Sequence, residues 1–437
     1  MKKEIEQIIY TFFLESSDFN GIPLRNISST LNIEYKKSID LIKELVQDDK
    51  VTIQSSTNPH IIYSRLYPIE TQLKILEDSK DWKTKEMKIG EISILSENTD
   101  FPICIYPSQS SLKSNRNLDE FGEAIYTKAL AYGEPQLSPR FFDIEVLERY
   151  SNDPRFNFVF EDYSGRISAK YDDNEKSLVR GEDDVFLKTF GLGFDENDNR
   201  LAVVYLRYLN DLTPEHQIFW KNKERNENCF VIEEYYENTI KGNWTSSYSV
   251  FSAFIGELTC LNDIAKTIFD KPLFRKNFND YNRPKEFTFF FSPTLKNYND
   301  FVLLLDKMIS DNINKNFFEN KVKFYDYIEI EDGIKEQKPK GTLRLFEEWL
   351  GEIFKAEQDK ELKKIFSILK NIRRQRQNPA HRISENEYDQ KYIEQQKKLI
   401  NDAHHSIKGL RYIFKQHPRA KNFEIPDWLE NGDIKTF

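Results

Sequence analysis

Near the C-terminal end, three arginines, a histidine and a fourth arginine crowd into one run, Arg373-Arg374-Gln375-Arg376-Gln377-Asn378-Pro379-Ala380-His381-Arg382. A guanidinium is a permanent cation whose planar fork of N–H donors matches a phosphate. An imidazole gains and loses its proton near neutral pH. Together they suit cleavage of a phosphodiester, the arginine binding the phosphate and the histidine moving protons. The element that must position them lies just upstream. Leu362, Ile365, Leu369 and Ile372 recur at helical spacing, which predicts one face of an amphipathic helix. Four residues beyond Ile372 comes Arg376, so an arginine continues the stripe that points at neighbouring helices, where arginine is almost never unpaired. Pro379 cannot continue a helical ladder and Asn378 before it is biased away from helical dihedrals, so the chain is expected to bend there, with His381 just past the break.

Arg376-x4-His381, with polar residues directly after the arginine, resembles the signature of the HEPN superfamily over roughly the last quarter of the chain. That resemblance implies a small helical bundle and a metal-independent ribonuclease of the kind found in toxin–antitoxin, abortive-infection and CRISPR-associated systems. It also implies that the arginine and histidine of two subunits or domains form one composite site. One position departs from the family pattern: Gln377 follows the arginine where Asn, His or Asp is common, with Asn378 one further on. On this reading Arg376, His381 and Asn378 are the catalytic residues, and Arg373, Arg374, Gln377 and Arg382 bind RNA. His381 would serve as general base or acid at the ribose 2′-hydroxyl or the 5′-oxygen, and Arg376 would stabilise charge growing on the phosphate. No metal or other cofactor is expected, because the nucleophile is internal to RNA. Replacing Arg376 or His381 by alanine is expected to abolish cleavage while leaving the fold intact. A homodimer through the C-terminal bundle is the expected assembly, since one histidine is half of what acid–base cleavage uses.

Two rivals are set against that reading. In the first, Arg376 pairs with a buried carboxylate and His381 caps a helix, which makes the bundle a non-catalytic interaction module. In the second, the chain is a winged-helix DNA-binding regulator whose bundle only dimerises.

Charge bears on all three. From Glu361 to Ala420 the sequence carries 14 Lys and Arg against 6 Asp and Glu, a balance of +8 that leaves −17 on the rest of a chain whose formal charge is −9. A basic lobe on an acidic body suits a confined polyanion site. With 437 residues, 34 Phe and 22 Tyr, the chain has material for several folded cores. Cys104, Cys229 and Cys260 are too few and too scattered for a disulfide framework or a zinc site. No segment approaches a membrane span or a signal core, so a cytoplasmic protein is expected. The most apolar run, Val250 to Leu261, is short and carries Glu257.

Residues 1–66 read as a winged helix: a helix over Glu4–Leu14, a short one introduced by Ile22 and Pro23 and carrying Leu24, Ile27 and Leu31, a third over Tyr35–Gln47, then Val51–Gln54 and His60–Ser64 as the strands of a wing. This segment holds 8 Lys and Arg against 9 Asp and Glu. Phosphate neutralisation dominates DNA affinity, so a protein-contact role fits better than DNA binding. Residues 67–294 read as a mixed α/β domain that senses a protein or ligand trigger, or restrains the nuclease. In it, Ile92–Leu95 and Phe101–Tyr106 suggest strands, and Phe141–Tyr150 a helix. Phe156–Phe160 with Arg166–Tyr171, and Val185–Leu192 with Leu201–Tyr208, suggest hairpins. Asp195, Asn197 and Asn199 imitate a calcium loop but read better as a polar turn, because Arg200 stands where the loop glycine belongs. Gly191-Leu192-Gly193 lacks the third glycine of a phosphate loop. Residues 295–420 form the HEPN-like helical bundle, with a solvated linker through Lys338-Pro339-Lys340-Gly341 and a helix capped by Thr342 whose inward residues are Leu343, Phe346, Leu350, Ile353 and Phe354. The last helix presents Ile393, Ile400, Ala403, Ile407, Leu410 and Phe414 on one stripe, with His404 and His405 at the surface or an interface. Residues 421–437 are a tail. The whole is a multidomain α+β chain: N-terminal winged helix, central mixed α/β region, C-terminal HEPN-like helical bundle.

Overall fold

The computed structural model describes residues 1–16, 19–53, 67–81, 84–89, 92–97, 103–115, 121–244, 247–279, 282–331, 334–353, 359–377 and 385–436. The chain is mixed α+β, 54% helical and 17% strand. It divides into two compact units. The first comprises Met1–Val146, Asp153–Phe158 and Gly165–Tyr235, the second Leu147–Asn152, Val159–Ser164 and Tyr236–Phe437.

The first unit opens with α1 (Lys2–Glu15), α2 (Leu24–Leu31) and α3 (Tyr35–Gln47). Ile5 and Ile9 of α1, Leu24 and Ile27 of α2, and Ile39, Ile42 and Val46 of α3 close over one apolar core at the three- and four-residue spacing of helical faces. Asn32 ends α2 in the left-handed region at φ 51°, a conformation asparagine tolerates. A small antiparallel sheet flanks these helices, with β3 (Cys104–Pro107) between β1 (Ile22–Pro23) and β2 (Val51–Ile53), so that Ile105 stands opposite both Ile22 and Ile53. The expected second wing strand, His60–Ser64, lies outside the described residues.

A seven-stranded sheet follows, built from β4 (Pro139–Asp143), β5 (Phe156–Glu161), β6 (Ser164–Ala169), β7 (Phe186–Phe194), β8 (Arg200–Tyr205), β9 (Glu224–Arg225) and β10 (Phe230–Val231). Its order is β9-β4-β8-β7-β6-β5, with β10 also on β7. The helix expected over Phe141–Tyr150 is corrected: its first residues are strand, because Phe141 pairs with Val203, and Phe142 is buried edge-on against Trp220 with ring centroids 4.9 Å apart. Residues Leu206–Leu209 turn helical where the second hairpin was expected to continue as strand. Asp195 organises the polar turn: its Oδ1 accepts the amides of Asn197 and Asn199, both at 2.9 Å. The glycines of Gly191-Leu192-Gly193 serve packing, since a Cβ on Gly191 would collide with the ring of Tyr235 and one on Gly193 with the carbonyl of Phe230.

In the second unit, α6 (Val250–Phe269) packs on α10 (Lys391–Lys415), α10 on α9 (Asp359–Gln377), and α9 on α7 (Leu295–Asp306) and α8 (Thr342–Ile353); α5 (Pro214–Lys221) belongs to the first unit and α4 is the segment Ile69–Asp78 there. Helix α6 is buried nearly all round. Glu257 on it is fully enclosed and bonds the equally enclosed Arg411 of α10 through Nε at 2.5 Å and Nη2 at 3.1 Å. His404 is corrected from a surface residue to a buried one, 5% exposed, whereas its neighbour His405 is exposed. The apolar stripe of α10 is wide enough to carry His404 and Arg411 inward beside Ile400, Ala403 and Ile407. Ile353 is 54% exposed rather than inward, and Trp349 takes the core position among Phe317, Phe318 and Phe414. Phe354 lies outside the described residues. Lys338 and Pro339, expected in a linker, belong to the second strand of a hairpin in which Tyr325 pairs with Pro339. This two-stranded ribbon has only edges, where proline is tolerated. Thr342 begins α8 without capping it; its hydroxyl donates to the carbonyl of Ser310 at 2.7 Å. The tail is folded too: Tyr248 and Ser249 pair in parallel with Ile434 and Lys435, and Trp428 stacks on Tyr248 with centroids 4.1 Å apart. Among the described residues no helix is long and apolar enough to cross a membrane.

Candidate functional site: the arginine end of α9

Leu362, Phe366, Leu369 and Ile372 bury the inner face of α9. Its last turns carry Arg373, Arg374, Gln375, Arg376 and Gln377, and the described helix ends at Gln377, directly before Asn378-Pro379. As the stripe predicts, Arg376 turns inward and finds a partner. Its Nη1 donates to Asp306 Oδ2 at 2.7 Å and to Asp311 Oδ2 at 2.8 Å. Asp306 is wholly buried while Arg376 keeps 30% of its side chain exposed, so a guanidinium that reaches solvent is anchored from below. The hydrogen bond it donates to Asp306 holds the arginine's pKa above its ordinary value.

Local backbone geometry makes this double contact. Asp306 is the last residue of α7, and Lys307–Asp311 continue it as a π-helical turn. In an α-helix residues five apart are rotated by about 140° and face different sides. The wider π-turn, with its i→i+5 bonds, brings them round to one side. One nitrogen of Arg376 can then meet both carboxylates.

Arg373, one turn earlier, has its Nη1 3.8 Å from Asp311 Oδ1, and this nitrogen is buried without a hydrogen-bond partner. Asp306 Oδ1 and the Ser310 hydroxyl are also buried without one. Gln375 accepts the hydroxyl of Tyr298, at 2.6 Å, whose pKa is raised by burial. Arg374 and Gln377 are exposed. Three guanidiniums against two carboxylates leave this end of α9 positive. Asn378, His381 and Arg382 lie outside the described residues. The chain beyond them is fastened to the start of α7, where Leu295 N donates to Glu387 O at 2.8 Å and Asp389 N to Pro293 O at 2.9 Å.

No family model, curated protein or solved structure matches this chain.

The site therefore rests on its own geometry. Arg373 and Arg376 meet at Asp311, and Arg374 and Gln377 stand beside them facing solvent. Sequence reasoning missed Asp306, Asp311 and Tyr298. An Asp-x4-Asp spacing carries no signal on an α-helical wheel, and only the π-turn gives it meaning. What the arrangement can do is hold a partly exposed guanidinium in a fixed direction, with a second one beside it, for an anion arriving from solvent.

Proposed function

We propose that this chain is a metal-independent endoribonuclease of the HEPN type, acting on RNA at the end of α9. One observation carries the reading: a solvent-reaching Arg376, fixed by the buried Asp306, in a cluster with Arg373 and Arg374 and five residues from His381. In the reaction the ribose 2′-oxygen attacks phosphorus as a base removes its proton, and the bond from phosphorus to the 5′-oxygen breaks as an acid protonates that oxygen. The products are a 2′,3′-cyclic phosphate and a free 5′-hydroxyl. His381 supplies one of the two proton transfers, and a second copy of the chain, joined through the helical unit, supplies the other. Arg376 holds the phosphate and offsets the charge that grows on it; Asn378 bonds a phosphate oxygen or orients the histidine. Gln377, Arg373, Arg374 and Arg382 draw the RNA backbone in.

The finer folds belong to the same proposal: α1 to α3 with their small sheet as a winged helix that contacts protein, the central region as the sensor of a trigger, and the helices around α9 as a HEPN-like bundle of a bacterial defence or toxin-type protein of the cytoplasm. Incubating the purified protein with single-stranded RNA in chelator tests the reading. Cleavage to cyclic-phosphate ends that His381→Ala removes supports it.

A second reading is favoured by the same ion pair. Asp306 and Asp311 satisfy Arg376 as a structural arginine would be satisfied, and the helical unit is then an interaction module. Binding without cleavage, unchanged in His381→Ala, supports that one.

A further inference from the structure

We infer that Arg373 and Arg376 form a phosphate-binding site which the carboxylate of Asp311 occupies, and that the incoming phosphate displaces Asp311 while Asp306 stays. The inference rests on the ribonuclease reading only for the identity of the phosphate as part of an RNA backbone.

Three observations carry it. First, Asp311 lies between the two guanidiniums, its Oδ2 2.8 Å from Arg376 Nη1 and its Oδ1 3.8 Å from Arg373 Nη1. It is bonded to one and only near the other, and that second nitrogen is buried with no hydrogen-bond partner. A buried, unbonded N–H on a cation costs free energy that a better-fitting anion recovers. A phosphate offers more oxygens than a carboxylate and can bond both forks at once. Second, the two acids are unequal. Asp306 is fully enclosed, and withdrawing Arg376 from it would strand a buried charge. Asp311 is 43% exposed and can swing into water. Third, Asp311 closes a π-turn, a rare variant of helix found often at functional sites, and one that differs from ordinary α-helix by a small change of winding. Such a change would rotate Asp311 away from Asp306 and off the arginines. Asp306 is thus a positioning residue and Asp311 an internal competitor for the anion.

The test is binding, which is independent of cleavage. Inorganic phosphate and a nuclease-resistant single-stranded 2′-O-methyl RNA are titrated into the wild type, Asp311→Asn, Asp311→Asn with Arg373→Ala, and Asp300→Asn. The last makes the same change of net charge at an exposed acid of α7. Removing the competitor should tighten binding about fivefold, the change one partly exposed ion pair commands. Asp300→Asn should leave it unchanged, and the double variant should lose the gain. Tighter binding of both probes identifies the site as one for RNA backbone, and tighter binding of inorganic phosphate alone identifies it as one for the free ion. If Asp311→Asn binds neither probe more tightly than the wild type, or no more tightly than Asp300→Asn does, the inference is wrong. Should Asp311→Asn bind the 2′-O-methyl RNA more tightly and still not cut unmodified single-stranded RNA, the anion site stands and the ribonuclease proposal falls. Asp311→Ala repeats the test if the asparagine variant folds poorly.

Discussion

Asp306 holds Arg376 from inside the helical unit: the carboxylate is wholly enclosed, the guanidinium 30% exposed, and 2.7 Å separates them. Cost is therefore unequal on the two sides of the pair. Arg376→Ala leaves a buried carboxylate uncompensated and should lower stability by about 3 kcal/mol. Asp306→Asn leaves an arginine that can turn toward water and should lower it by about 1 kcal/mol. Urea unfolding of both variants checks the order. This revises the expectation that Arg376→Ala would spare the fold, and makes His381→Ala the cleaner probe of catalysis.

Glu257 and Arg411 are enclosed together between α6 and α10. Arg411→Met strands the glutamate and should lower stability by about 3–5 kcal/mol. Glu257→Leu combined with Arg411→Met replaces the pair by apolar volume and should return to near wild type. Thermal unfolding of the single and double variants measures both; a double variant as unstable as the single would contradict the account.

His404 contributes a pH dependence. Burial, then the positive neighbours His405, Lys408 and Arg411, push its pKa from 6.5 down to about 4, and its Nε2 has no hydrogen-bond partner. The unfolded chain thus takes up a proton that the folded one refuses as pH falls from 6.5 toward 4, so stability is lost across that window. By pH 5 the loss amounts to about 2 kcal/mol. His404→Leu should show a loss on acidification smaller by that amount in urea titrations at pH 7 and pH 5.

Lys321 lies in a box of rings, its Nζ 4.0 Å from the centroid of Phe317, 4.7 Å from Phe269 and 5.2 Å from Trp349. The rings attract the ammonium, but Nζ is buried without a hydrogen-bond partner and burial lowers its pKa. The net charge there is unfavourable. Lys321→Met should therefore raise the Tm at pH 7, and the advantage should shrink as the pH rises toward the lysine's ordinary value of 10.5. A lower Tm for the variant would show that the cation–ring attraction wins.

Much of the helical framework was legible in the sequence, because amphipathic spacing is a local signal. The stripe through Leu362, Ile365, Leu369 and Ile372 led on to Arg376, and it forecast an inward arginine that needs a partner. The partner itself was not legible. Asp306 and Asp311 share a side only because the backbone widens into a π-turn, which no spacing rule marks. Phe141 and Phe142 read as helix because the pattern is short, and pairing with Val203 and packing on Trp220 decided for strand. His404 read as a surface or interface residue because it falls between the apolar positions of the stripe, whereas the width of the buried face of α10 encloses it.

The most direct measurement of the central proposal is RNA cleavage by the Asp311→Asn protein, compared with the same protein carrying His381→Ala. With single-stranded RNA in chelator, the account predicts 2′,3′-cyclic phosphate ends from the first and intact RNA from the second. Intact RNA from both, or equal cleavage by both, would contradict it.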